Sequence, residues 1–303
     1  MRNSVVRLSL CRWWNGLTGL LLSENRRGVT QVPLNIAEIF VYPIKSLRGT
    51  AVDEALVCGY GLEHDRRWML IDGNSRMITQ RECPRMATLH PHIEDGRLRI
   101  GSPDSTDIII PFSGNGWSEQ QVTVDVWGHG YVGVVASDAI NAALGEAIGV
   151  ACRLAWIRSD IFRMKHEVAF HDDSPLLIIG QASLDDLNRR SPVPIPMNRF
   201  RPNLVITDAK SFDEDYWHRI RIGGTVLRAV KACERCVITT VDQAEGVFTG
   251  PEPLKTLATF RRKGENVAFG RYFRPESKGS KLHRGDEVRV VALKPEAAAY
   301  LSS

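Results

Sequence analysis

From Ile36 onward short apolar runs alternate with polar turns, and most of the runs are too short for helices. Ala37-Glu-Ile-Phe-Val-Tyr42 reads as a strand stopped by Pro43, which has no N–H to give to a ladder. Arg67-Trp-Met-Leu-Ile71 and Arg76-Met-Ile-Thr79 flank Asp72-Gly73, and Ile93-Glu94 and Arg97-Leu98 flank Asp95-Gly96. Both read as hairpins, with glycine taking the positive φ of the turn. Further strands are expected at Ile108 to Ile110, Val122 to Val126 and Tyr131 to Val135.

The period then changes. Ser137 or Asp138 caps a helix whose Ile140, Ala143, Leu144, Ala147 and Ile148 share one face, and Gly149 ends it. Beyond it come a strand at Leu176 to Ile179, a helix over Leu184 to Arg190 closed by Pro192, and a strand at Leu204 to Thr207. Two strands, Val226 to Val230 and Val237 to Val241, flank a cysteine pair. A helix over Leu254 to Arg262 and strands near Tyr272 and Val288 to Val291 complete the pattern. Strands joined by short turns, with few helices, predict a mainly β chain with some α (α+β), and a barrel over a doubly wound sheet. The 303 residues suit two domains: 36–150, mostly strands and hairpins, and 151–295, followed by a tail at 296–303.

Residues 1–35 read as a leader. Arg2, Arg7 and Arg12 are its only charges before Glu24, and Trp13, Trp14 and Leu20 to Leu22 add apolar bulk. A membrane-surface segment, a cleaved address and a disordered tail all fit this pattern. Arg7, Arg12 and Asn15 interrupt the stretch too often for a transmembrane span. The net charge of +4 comes from nearly balanced acids and bases, so nucleic acid is not an expected partner.

Six cysteines at irregular spacing make a poor disulfide framework, and a reducing, cytoplasmic compartment is expected. Cys233-Glu-Arg-Cys236 is the clearest chemical feature, because a thiolate is both a nucleophile and a soft metal ligand. Arg235 and Lys231 add local positive charge that favours a thiolate. A structural zinc site would need a second ligand pair, which is absent at standard spacing. A thioredoxin-type site would need the pair at a helix N-terminus, whereas β-branched Val237 to Val241 reads as a strand. On spacing alone, two cysteines packed at strand ends remain an open reading.

Three polar segments interrupt the strands: Tyr42 to Gly49, His64 to Trp68 and Met197 to Asn203. Each sets Arg or Lys beside a hydroxyl or amide, so together they could cradle an anionic cofactor; singly, each reads equally as a solvated loop. No GxGxxG, Walker, HExxH or Gly-x-Ser-x-Gly pattern stands in a supporting context, which argues against nucleotide-dependent and zinc-hydrolytic chemistry.

Six ordered motifs carry a resemblance: Tyr42-Pro-Ile-Lys-Ser, Asp65-Arg-Arg-Trp, Asp173-Ser-Pro, Phe200-Arg-Pro-Asn, Cys233 through Asp242, and Pro253-Leu-Lys-Thr-Leu257. From about Ile36 to Leu293 the chain resembles the MOSC-domain molybdenum-cofactor reductases. Within them it looks most like the bacterial hydroxylaminopurine-detoxifying and mitochondrial amidoxime-reducing proteins. The resemblance implies a MOSC β-barrel core preceded by an N-terminal MOSC β-barrel domain. It implies that Cys236 is the protein ligand to molybdenum in a molybdopterin cofactor and that Cys233 is a neighbour. Lys45, Ser46, Arg66, Ser174, Arg201, Asn203, Arg235 and Tyr272 match positions around the pterin and its phosphate.

The implied chemistry is two-electron, two-proton removal of oxygen from a small N-hydroxylated substrate. Asp242 and Asp173 are candidates by location for delivering protons. Glu234 stands where close relatives often have serine, which puts an acid near an anionic cofactor. No Cys-x4-Cys-x2-Cys pattern follows Leu293, so electrons are expected from a separate carrier: a ferredoxin, a flavin reductase or a cytochrome b5-type protein. The alternative is a protein that carries molybdenum cofactor, or a persulfide on Cys236, without turnover.

Overall fold

The first strand, Leu34–Val41, buries Ile36, Ile39 and Val41 while Glu38 faces out. The three-residue step from Ile36 to Ile39 breaks the period of two because a register shift against Leu204–Thr207 falls between Ile36 and Glu38. The bulge returns the apolar side chains to one face. In the computed structural model the described residues are 33–103, 105–114, 116–157 and 169–295. The leader reading, apart from its last three residues, and the 296–303 tail lie outside them.

Seven strands close into a barrel: Leu176–Gly180, Leu204–Thr207, Leu34–Val41, Glu287–Leu293, Trp217–Ile222, Thr225–Arg235 and Asn266–Pro275, which pairs back with Leu176–Gly180. The first of these pairings is parallel and the other six antiparallel. Ile36, Ile178, Leu204, Ile220, Leu227 and Phe273 belong to its core. The mainly β fold with a barrel core expected from the pattern is the fold observed, with three α-helices among the described residues, Asp138–Ile148, Gln181–Arg190 and Leu254–Phe260.

Gly270 makes the closing seam possible. It has φ +75° beside the register pair Ile178↔Arg271, and a Cβ there would lie 2.6 Å from Ile179 Cγ1 and 3.0 Å from the Ile178 carbonyl oxygen. Gly270→Ala is expected to lower unfolding free energy by about 2–4 kcal/mol, combining overpacking with a left-handed backbone. A urea titration checks this; a loss below about 1 kcal/mol would mean that the seam re-spaces freely.

The barrel is built from both halves of the sequence. Leu34–Val41 lies in it, and Glu54–Cys58 pairs with Lys281–His283. Conversely Arg153–Trp156, beyond residue 150, pairs with Trp68–Ile71 and His129–Ala136 in a second sheet that ends at Trp117–Val126. A third sheet holds His90–Glu94, Arg97–Ser102 and Ser105–Pro111. In its hairpin Asp95 and Gly96 have φ of +49° and +68°, as a two-residue turn requires. The helix Asp138–Ile148 packs across these two sheets, and Gly149 ends it in the left-handed conformation. Trp68, Phe112, Trp156 and Trp117 stack between the layers, with centroids 4.7–5.7 Å apart.

Two expected strands are different. Val237–Thr240 is a 3₁₀ turn, because the Thr239 and Thr240 hydroxyls donate to the Cys236 and Val237 carbonyls at 2.9 and 2.8 Å and satisfy the backbone locally. Arg76 to Thr79 is not a strand of its own but makes single bridges, Ile71↔Met77 and Arg76↔Asp125. No helix among the described residues is long and apolar enough to cross a membrane.

Candidate functional site

Thr225–Arg235 runs as one strand through the first cysteine, and the chain turns immediately after Cys236. The two thiols therefore face different surroundings. Cys233 is 2% exposed in an apolar cluster with Phe200, Leu257 and Phe269, and burial pushes its thiol above the usual range. Tyr272 hydrogen-bonds it, and burial raises the Tyr272 phenol as well. Cys236 is only partly buried and lines a cavity of about 140 Å³.

All nine residues singled out from the sequence line this cavity: Cys236, Lys45, Ser46, Arg66, Ser174, Arg201, Asn203, Arg235 and Tyr272. They come from the loop after Leu34–Val41, the Asp65-Arg66 turn, the segment before Leu176–Gly180, the Met197 to Asn203 segment, the end of the cysteine strand with the residue after it, and Asn266–Pro275. Ser46, Arg66 and Arg201 have φ of +65°, +49° and +56°. Three non-glycine residues in the left-handed region around one cavity is a concentration of backbone strain that functional sites commonly show.

The walls hold the strained side chains in place. Buried Asp65 accepts from the Tyr42 amide at 2.8 Å and from Arg66, and the Arg66 and Arg201 guanidinium groups lie over the Tyr42 ring at 4.1 and 4.4 Å. Tyr42 donates to the Pro202 carbonyl at 3.0 Å, and burial pushes its phenol up to about 12. Asn203 is a tie: its oxygen accepts from the Leu177 amide and Arg66, and its amide donates to the Phe40 carbonyl. Lys45, 3% exposed, donates to Asp172 at 2.6 Å and to the Phe170 carbonyl at 3.0 Å.

Charge is the dominant property. Six cationic side chains line the cavity (Lys45, Arg66, Arg81, Arg199, Arg201 and Arg235) against two carboxylates, Asp172 and Glu234. Arg199 is paired with Asp242 at 3.1 Å, and Glu234 accepts from Asn266 at 2.9 Å on the exposed side. Burial pulls the Lys45 ammonium down and the Arg201 guanidinium down to about 10, the signature of cations removed from water without full compensation. Arg235 donates to the Phe269 and Phe200 carbonyls at 2.8 and 2.9 Å, yet its Nη2 is buried with no partner. An anion in the cavity would satisfy both the excess charge and this N–H.

The cation at the sulfur is one that the sequence did not single out. Arg81 Nη2 donates to Cys236 Sγ at 3.2 Å, and its guanidinium covers the Trp127 ring at 5.0 Å. Lys231 pairs instead with Asp173 at the surface, and the Arg235 fork is taken by main-chain carbonyls. The Thr79-Gln-Arg-Glu segment is as polar as the three that were noted, which is the one local signal that could have drawn attention to Arg81.

Neither Asp242 nor Asp173 lines the cavity; Asp172 does, and Lys45 beside it holds its carboxyl below the usual range. His171 also lines it. Burial pushes that imidazole down to about 4, so near neutral pH it is uncharged and donates through Nε2 to the Tyr60 carbonyl at 2.6 Å. Among the described residues no three His, Cys, Asp or Glu side chains converge to hold a metal ion, so a metal on Cys236 would draw its other ligands from a cofactor. One accessible sulfur, an excess of cations and an unpartnered buried guanidinium N–H form a donor set that fits an anionic cofactor carrying a soft metal.

Comparison with known proteins agrees with this chemistry. The MOSC domain matches residues 165–289 and the MOSC N-terminal beta barrel domain residues 34–151. The mitochondrial amidoxime-reducing component 1 of Mus musculus is 33% identical over 88% of this chain and 85% of its own length, and that of Homo sapiens is 31% identical over 88% and 86%. A molybdenum cofactor sulfurase of Oryza sativa subsp. japonica is 30% identical over 84% of this chain but only 34% of its own length. With both domains and full-length relatives matched, the chain belongs to the MOSC-domain family that includes the mitochondrial amidoxime-reducing components.

Proposed function

We propose that this protein binds molybdenum cofactor through Cys236 and reduces N-hydroxylated compounds, converting R–NHOH to R–NH₂ and water with two electrons and two protons from outside the chain. The observation that carries this reading is the Cys236 sulfur held by Arg81 in a cavity with six cations, two carboxylates and a free Arg235 N–H. Lys45, Arg66, Arg201 and Arg235 would hold the phosphate and pterin, with Ser46, Ser174 and Tyr272 as further polar contacts and Asn203 fixing Arg66. The cofactor, when bound, supplies the two-electron chemistry.

The chain itself orients and insulates. Arg81 fixes the direction of the sulfur, and the Tyr42 ring packs against two guanidinium groups. Asp172, kept as a carboxylate by Lys45, and uncharged His171 are not proton donors near neutral pH, and in this reading water is the proton source. Electrons come from a separate electron-transfer protein.

The test is molybdenum and pterin content of protein purified from a cofactor-competent host, with benzamidoxime reduction by an artificial reductant. Near one molybdenum per chain and turnover are expected. Metal-free protein would sink the reading. Bound cofactor that passes to an apo-enzyme without turnover would favour the carrier alternative.

A further inference from the structure

A second cavity of about 470 Å³ adjoins the first and shares His171, Asp172 and Ser174 with it. Its volume falls among ordinary small-molecule sites, unlike the narrow space around Cys236. Tyr60, Trp127, His129 and Tyr131 line it, giving it aromatic walls beside the charged cavity.

Trp127 is held there against local preference. It sits at the turn between Trp117–Val126 and His129–Ala136, where it and Gly128 have φ of +55° and +83°, positions that asparagine or glycine normally fills. Its ring is 49% exposed rather than in the core. It is nonetheless fixed, with Nε1 donating to Asp172 Oδ1 at 3.2 Å and Arg81 covering the ring at 5.0 Å. Arg81 also donates to Cys236, so one side chain links the Trp127 ring to the reactive sulfur. An exposed, strained yet anchored tryptophan has no packing task at this turn.

We propose that this cavity is the substrate vestibule and that Trp127 selects flat aromatic or heteroaromatic N-hydroxylated compounds. The ring stacks on Trp127 and the N–O end passes Asp172 toward Cys236. This rests on the reductase reading for the second cavity's purpose, but stacking is measurable without turnover. Aromatic contact adds selectivity beyond buried area and implies a preference of about tenfold over a ligand without a ring.

The experiment is calorimetric titration of the cofactor-loaded, unreduced protein with benzamidoxime and acetamidoxime, expressed per molybdenum, for wild type, Trp127→Ala and Trp127→Phe. Benzamidoxime is expected to bind wild type about tenfold more tightly; Trp127→Ala should bring the two within about twofold, while Trp127→Phe keeps most of the gap. In turnover the same loss should fall on the KM for benzamidoxime. No preference in wild type, or one that survives Trp127→Ala, overturns the proposal even if both compounds are reduced. A preference that depends on Trp127 without any reduction leaves the vestibule standing and removes the reductase reading alone.

Discussion

Cys236→Ser is expected to reduce benzamidoxime at no more than the reagent blank, and to be purified with little or no molybdenum. A serine hydroxyl is far less acidic than a thiol, so near neutral pH it offers the metal a much poorer anionic donor than a thiolate. Because Cys236 is partly exposed and belongs to none of the apolar clusters, unfolding free energy should change by no more than about 0.5 kcal/mol. Loss of both metal and activity with intact stability identifies a ligand. Activity retained at wild-type level would rule out a molybdenum–Cys236 bond.

Cys233→Ser is the matched control, three residues away. Its hydroxyl would be buried in the cluster of Phe200, Leu257 and Phe269, where an imperfectly bonded polar group costs about 1–3 kcal/mol. The two substitutions should thus separate, one costing cofactor and the other stability. The Cys-x-x-Cys spacing alone left zinc binding, redox pairing and simple packing open. The fold gives the two thiols different burial by ending a strand between them.

What the sequence made legible was local. Leu204–Thr207 and the helix Asp138–Ile148 with its Gly149 stop follow from apolar period and turn chemistry within a few residues, and both lie where the pattern put them. The cavity-lining residues were singled out only because their motifs resemble a family's, since no local rule brings Lys45 and Arg201 to one cavity. Val237–Thr240 was misread because β-branching favours a strand, whereas two threonine hydroxyls supply the bonds that a partner strand would have given. The barrel was expected, but the seam that closes it was out of reach, because it depends on pairing Leu176 with Phe273 around a glycine whose role appears only when Ile179 is beside it.

Arg81 shows the same limit and yields the second large effect. It lies 155 residues from the cysteine it touches, in a segment with no strand period and far in sequence from the cysteine pair. Groups that orient a metal ligand typically contribute 10–100-fold to affinity or activity. Arg81→Ala is therefore expected to lower kcat/KM for benzamidoxime by about 10–100-fold and to speed molybdenum loss on dialysis by a similar factor. Folding should change little, since the removed cation–π contact with Trp127 is worth only about 0.5–1 kcal/mol at an exposed ring. Arg81→Lys keeps the charge but loses the planar fork that reaches sulfur and indole together, so it should fall between wild type and alanine. If lysine matches wild type, charge alone holds the site and the directed N–H to Cys236 is dispensable; if alanine also matches, Arg81 has no part in holding the metal ligand.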